Sequence, residues 1–334
     1  MTNTTHGVLE ICAGAGGQAV GLENAGFSHE LAVEIEPDAA ETLRQNRPHW
    51  KVHEGDVRDI DGRDFKGVSL LAGGVPCPPF SLAGKQLGSD DERDLFPEAL
   101  RLVREAQPDA VMLENVRGLA GPKFGAYRRQ ILDELEELGY RHDWQLLNSS
   151  SYGVPQLRPR FILVAMKPEH FQYFHWPEPV GTPPTVGDKL EGLMAMNGWL
   201  GAAPWAEGAQ EIGPTLVGGS RKHGGPDLGP TRARHAWLKL GVDGRSLANE
   251  APGPDVPKDH VPRLTVEMAA IIQGFPVEWK FSGGKTSRYR QIGNAFPPPV
   301  AEHVGTAIIN ALNGVVSKGI EPTAPQLKVL KNAV

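Results

Sequence analysis

Val8-Leu9-Glu10-Ile11-Cys12-Ala13-Gly14-Ala15-Gly16-Gly17 is the stretch that decides the fold. Its first five residues read as a short buried strand. The glycines that follow admit positive φ and let a ligand approach the backbone. A helix then runs through Leu22 to Ala25, and its first turn offers free N–H groups. Leu31-Ala32-Val33 reads as the next strand and ends in Glu34. Glu34 lies about 20 residues beyond the first glycine, where a carboxylate can bind the diol of a ribose. A helix follows over residues 38–44, and Gly55-Asp56-Val57 closes a third unit with Asp56 at a strand end. This is a site for an adenosine-containing cofactor. Gly14-x-Gly16-x-x-Ala19 also fits the dinucleotide pattern, so a nicotinamide dehydrogenase is a competing reading at this point.

Moving outward, Val68-Ser69-Leu70-Leu71-Ala72 is another buried strand. Gly73-Gly74-Val75-Pro76-Cys77-Pro78-Pro79-Phe80-Ser81 follows it. The prolines stiffen this loop, and a stiff loop presents a side chain rather than burying it. Cys77 would then face the crevice where open α/β sheets bind ligands. Pro108-Asp109-Ala110-Val111-Met112-Leu113 is a further strand and ends in Glu114-Asn115-Val116, which brings a carboxylate to the same sheet edge. Residues 151–160 lead into a strand over 161–165. Arg158 and Arg160 are two apart, so in an extended chain they share a face. A thiol, a carboxylate and paired guanidiniums suit attack on an anionic, hydrogen-bonding heterocycle. Hydride transfer has no need for the thiol.

The bulk composition bounds the rest. A chain of 334 residues suits one large domain, or one with a smaller companion. No apolar run approaches the ~18 residues needed to cross a membrane. The amino terminus lacks the basic and apolar regions of a secretory signal. Two cysteines make no disulfide framework, and without an export signal they point to a reducing cytoplasm. The net charge of −6 argues weakly against a nucleic-acid partner, but its distribution matters more. Between Gly213 and Leu240, Asp227 is the only acid against Arg221, Lys222, Arg232, Arg234 and Lys239. Such a stretch can track a phosphate backbone. Residues 177–262 are rich in turn signals, while Trp199, Trp205 and Trp237 give that region something to bury.

Taken in order, these segments resemble the cytosine-5 DNA methyltransferases. The resemblance rests on the glycine stretch of residues 9–17, Pro76-Cys77 with Phe80-Ser81, and Glu114-Asn115-Val116. It continues with Gln156-x-Arg158-x-Arg160, Arg263-Leu264-Thr265 and Gln291-Ile292-Gly293-Asn294. It implies an α/β fold, a doubly wound mixed seven-stranded sheet that binds S-adenosyl-L-methionine, with a smaller inserted target-recognition domain. The expected boundaries are 1–176 for the catalytic and cofactor-binding domain and 177–260 for the recognition domain. Residues 261–314 return to the catalytic domain, and 315–334 form a poorly ordered tail.

The same resemblance implies the roles. Cys77 is the nucleophile toward carbon 6 of cytosine, Glu114 acts at ring nitrogen 3, and Arg160 with Arg158 stabilises the base oxygen and the neighbouring loop. Cys12, Gly14, Gly16, Glu34, Ile35, Asp56, Val57, Pro76, Leu95 and Asn294 line the cofactor pocket. Ser81 and Lys85, on a loop that closes on DNA, would contact DNA together with Thr215, Arg221, Lys222, Arg232 and Arg234. Base flipping follows, because a stacked base cannot reach such a pocket. The expected partners are double-stranded DNA and a cognate restriction endonuclease, with the chain acting as a monomer and no metal. An RNA cytosine-5 methyltransferase acting on tRNA is the alternative of the same fold. Cys12 stands where the family usually has Phe, Pro78 where Gln is common, and Ile35 where an aromatic is frequent.

Overall fold

The computed structural model describes residues 5–76, 94–219 and 225–322. The first part of the chain alternates strands and helices: β1 (His6–Ile11), α1 (Gly17–Ala25), β2 (Phe27–Glu34), α2 (Pro37–Asn46), β3 (Val52–Glu54) and β4 (Leu70–Gly74). It continues through α3 (Phe96–Ala106), β5 (Ala110–Val116), α4 (Gly125–Glu137), β6 (Arg141–Asn148), the two-residue β7 (Gln156–Leu157) and β8 (Pro159–Met166). Seven of these strands form one sheet in the order β3-β2-β1-β4-β5-β8-β6. β8 runs antiparallel to both its neighbours, and the other pairs are parallel. The sheet is therefore mixed, seven-stranded and doubly wound, as the resemblance implied.

The apolar runs become central strands because a parallel sheet is covered on both faces. Val8, Leu70, Met112 and Val164 face one layer, where Leu22 of α1 meets Val300, Val304 and Ile308 of the carboxy-terminal helix. Leu9, Ile11, Leu71, Val111 and Leu113 face the other, against Phe96, Leu100 and Val103 of α3 and Ile131 and Leu135 of α4. Gly21 makes the first packing possible. A Cβ there would lie 2.3 Å from the carbonyl oxygen of Pro298.

The remaining elements are α5 (Pro168–Phe171), β9 (Trp176–Pro177), α6 (Val186–Ala195), α7 (Ala202–Gly208), β10 (Gly213–Pro214) and α8 (Thr231–Lys239). After them come α9 (Val266–Gln273), α10 (Lys285–Asn294), α11 (Pro298–Leu312) and β11 (Gly319–Ile320). Trp199, Trp205 and Trp237 are buried, as expected of a folded module. They share one apolar cluster with Leu264, Ile272, Phe275, Trp279 and Tyr289 of the following segment and with Leu43 of α2. Among the described residues, no helix is long and apolar enough to cross a membrane.

Two details depart from the sequence reading. The first strand stops at Ile11, because Cys12 takes φ 51 and begins the turn. Gly319–Ile320 pairs antiparallel with Trp176–Pro177, so the stretch expected to be a loose tail is tied back there. Residues 323–334 lie outside the described residues.

Candidate active site

β1 and β4 are neighbours, but the chain leaves them toward opposite halves of the sheet. A crevice opens at the carboxyl ends of two such strands. On its β1 side the backbone is fixed atom by atom. The N–H of Ala13 donates to the carbonyl of Val33 and that of Gly16 to the carbonyl of Ala13. The N–H of Gly14 donates to Glu34 Oε2 at 2.6 Å, and that of Glu36 donates to Glu34 Oε1 at 2.8 Å. Glu34 is buried, which raises its pKa, while these backbone donors pull it back down.

The glycines of the turn do different work. Gly14 has φ +56, and a Cβ there would meet nothing within 4 Å among the described residues, so they leave open space beside it. Gly16 has φ +86, and its Cβ would lie 2.8 Å from both Leu43 Cδ2 and Trp279 Cζ2. Gly16 is thus required by packing beneath the turn. Ile35 is 60% exposed, an apolar side chain at the rim. Asp56 accepts from the backbone N–H of Arg58 at 3.0 Å and from its guanidinium at 2.9 Å, and these bonds lower its pKa. Open space beside Gly14, a buried carboxylate and an exposed apolar side chain together fit a ribose-bearing cofactor.

Other expected pocket residues have different surroundings. Val57 is buried in the core between the sheet and α3. Leu95 packs partly against the same core, and its N–H points to the carbonyl of exposed Pro76 at 3.4 Å. Asn294, at the end of α10, donates to the carbonyl of Gly219 at 3.2 Å. Cys12 is half-buried beside carboxylates. Burial raises its thiol pKa, and Glu34, Asp56 and Glu10 raise it further.

The other wall of the crevice carries the acid. Glu114 is buried, and its Oε1 lies 2.6 Å from Nε of Arg160 across the β5–β8 pair. Burial raises the Glu114 pKa, and the charges of Arg160 and Arg158 oppose it. A Cβ on Gly74 of β4 would lie 3.4 Å from Glu114 Oε2, so the carboxyl borders the end of that strand. Asn115, to which the sequence reading gave no role, donates from Nδ2 to the carbonyl of Val75 at 2.8 Å. It fixes the backbone two residues before Cys77.

Arg158 and Arg160 do not share partners. Arg158 is 1% exposed, and its guanidinium donates to the carbonyls of Leu216 and Gly293 at 2.7 Å and Ala295 at 2.9 Å. The pairing of β7 with β10 ends at Leu157, and the chain enters the large sheet at Pro159, so the two guanidiniums serve different neighbours. Gln156, buried beside it, accepts from the N–H of Leu216 at 2.8 Å and donates to Gln273 at 2.9 Å.

On the recognition side, the Thr215 hydroxyl donates to the carbonyl of Leu157. Arg232 and Arg234 stand in the first turn of α8, with Arg234 reaching the Thr231 hydroxyl at 3.3 Å. Cys77, Ser81, Lys85, Arg221 and Lys222 lie outside the described residues.

Comparison with known proteins agrees with this architecture. Residues 7–310 match the family model described as C-5 cytosine-specific DNA methylase. The chain is 59% identical over 310 residues to the Type II methyltransferase M.NaeI of Lentzea aerocolonigenes, covering 92% of this chain and 75% of that protein. It is 54% identical over 312 residues to the Type II methyltransferase M.NgoMIV of Neisseria gonorrhoeae, covering 91% and 97%. Among solved structures, an E. coli prophage protein described as a DNA modification methyltransferase superposes with a TM-score of 0.66 at 24% identity, over 92% of this chain and 100% of that one. That likeness speaks to the fold alone. The family match leaves no place for the dehydrogenase reading, and with it the chain belongs to the C-5 cytosine-specific DNA methylase family and is a methyltransferase of cytosine in DNA.

Proposed function

We propose that this chain methylates carbon 5 of a cytosine flipped out of duplex DNA, through a covalent bond between Cys77 and carbon 6. Its place is the modification half of a Type II restriction–modification system, acting in the cytoplasm as a monomer beside a cognate endonuclease. The observation that carries the reading is the buried Glu114–Arg160 pair at the carboxyl edge of the sheet, bordering the strand that leads to Pro76 and Cys77.

The chemistry needs both groups. Carbon 5 of cytosine is a poor nucleophile. When the Cys77 thiolate bonds to carbon 6, the ring's π electrons shift toward nitrogen 3, and Glu114 delivers a proton there. The ring is then an enamine. Carbon 5 can take a methyl group while nitrogen 3 and carbon 4 regain their double bond as a cation. S-Adenosyl-L-methionine supplies that methyl group in activated form when bound. Loss of the carbon 5 proton restores the carbon 5–carbon 6 double bond and expels the thiolate. The nitrogen 3 proton returns to Glu114. The raised Glu114 pKa suits this role, because burial favours the protonated acid that the first step consumes. Arg160 holds the carboxyl in place and offers charge to the base oxygen. Glu34 would take the ribose hydroxyls of the cofactor, Ile35 would cover its adenine and Asp56 would meet the adenine amino group.

Bisulfite sequencing of DNA from cells expressing the chain tests this directly. Conversion-resistant cytosines in one short sequence context are expected, and the Cys77→Ala variant should leave none. Unchanged DNA methylation with folded, cofactor-competent protein would overturn the reading. Methyl transfer to tRNA instead, in parallel assays, would support the RNA alternative.

A further inference from the structure

We infer that Trp279 is a positioning residue for the cofactor turn, so that S-adenosyl-L-methionine binding depends on a segment far along the chain. The inference rests on the cofactor reading given above for the turn at residues 12–17.

The bonds that fix Ala13, Gly14 and Gly16 leave the Ala15 carbonyl to be met from elsewhere. Ala15 is buried, and its carbonyl must find a donor or remain unsatisfied. That donor is the indole Nε1–H of Trp279, at 3.0 Å. The same ring lies under Gly16, where a Cβ would come within 2.8 Å of it. One side chain therefore sets both the direction of the Ala15 carbonyl and the floor beneath Gly16. The neighbours of Ala15 are Gly14, whose N–H meets Glu34, and Gly16, which caps α1. Tilting the Ala15 carbonyl would displace the face that the cofactor meets.

Trp279 is itself held firmly. It is 5% exposed, and Trp50 lies 6.5 Å away between ring centroids. The Arg47 guanidinium sits over the Trp279 ring at 5.1 Å and pairs with Glu23 at 2.6 Å. The next residue is clamped to α2 by both ends of one amide. Asn46 Nδ2 donates to the carbonyl of Lys280 at 2.7 Å, and its Oδ1 accepts the Lys280 N–H at 2.9 Å. Two residues on, the N–H of Ser282 donates to the Thr42 hydroxyl at 2.8 Å. Such anchoring lets an indole act as a fixed prop rather than as filler.

The test is equilibrium binding without DNA. Trp279→Phe keeps a ring under Gly16 and removes only the donor. Titration calorimetry with S-adenosyl-homocysteine should show Kd weakened about tenfold, the scale of one buried carbonyl left without its donor. In methylation assays KM for S-adenosyl-L-methionine should rise by a similar factor, while kcat at saturation changes less than about twofold. Met194→Ala, a core truncation in α6, should lower Tm and leave Kd unchanged. Equal Kd for wild type and Trp279→Phe would overturn the inference. So would an equal loss of affinity in Met194→Ala, which would trace the effect to general loosening. Failure of the wild-type protein to bind S-adenosyl-homocysteine would instead overturn the cofactor reading itself.

Discussion

Glu114→Gln separates the acid from the rest of the site. The side chain keeps its size and an oxygen that Arg160 can still meet, but it can no longer give a proton. Removing a general acid costs about 10²- to 10⁴-fold in rate. The neutral amide can still donate a hydrogen bond to ring nitrogen 3, so the lower half of that range is expected, about 10²- to 10³-fold. This corresponds to roughly 3–4 kcal/mol in the barrier. Stability should fall less. Glu114 and Arg160 are both nearly enclosed, and stripping one partner from a buried pair costs about 3–5 kcal/mol when nothing replaces it. The retained amide oxygen reduces that to about 1–3 kcal/mol. The pH profile gives the sharper readout. Burial raises the Glu114 pKa, so the acid persists to higher pH than an exposed carboxyl would. As pH rises through that pKa, the wild-type rate should lose its proton donor and fall. The thiolate of Cys77 acts in the opposite sense. Glu114→Gln should therefore lose the wild-type limb that reports carboxyl ionisation and keep the limb that reports the thiolate. Single-turnover methyl transfer across pH, with S-adenosyl-homocysteine affinity measured beside it, makes the comparison. A variant retaining more than a tenth of wild-type rate, with an unchanged profile, would refute Glu114 as the acid.

Three further outcomes follow from the geometry. DNA carrying 5-fluorocytosine in the target should trap the wild-type protein and Cys12→Ala but not Cys77→Ala, as read on denaturing gels. Burial and three carboxylates keep the Cys12 thiol protonated near neutral pH. Gly16→Ala should lower Tm more than Gly14→Ala in calorimetry, because only the first meets Leu43 and Trp279. The positive φ at each adds a penalty of about 1–2 kcal/mol. Gly14→Ala should instead weaken cofactor affinity by intruding on open space. Arg158→Lys cannot reach three carbonyls at once, and Gly218→Ala would drive a Cβ to 2.4 Å from the carbonyl of Arg290. Both loosen the same join between Leu216 and α10. Their losses of kcat should be less than additive in a double-mutant cycle, and full additivity would separate them.

The sequence made the centre of the sheet legible because its parallel strands are largely apolar, and β1 and β4 run into glycines. β6 went unnoticed. It is an edge strand, and Arg141-His142-Asp143-Trp144 carries polar side chains among apolar ones. The acid at Glu114 and the carboxylate at Glu34 could be read from strand ends. The separate duties of Arg158 and Arg160 could not, since spacing alone gives them one face. Only the change from a two-residue pairing to the large sheet explains their different partners. Trp279 was invisible for a simpler reason. Its contact with Ala15 spans 264 positions, and no local pattern encodes a contact of that reach.

That separation has a consequence for the timing of synthesis. The glycine turn leaves the ribosome 264 positions before its prop is made. At about 5–20 residues per second, the interval is roughly 13–50 s. Helix α1 waits still longer for its cover, because α11 follows Trp279. A nascent chain can thus present the turn in sequence but not in final form. Cofactor competence should arrive only after Trp279 and α11 have been made, in one step with the closing of the sheet's outer layer.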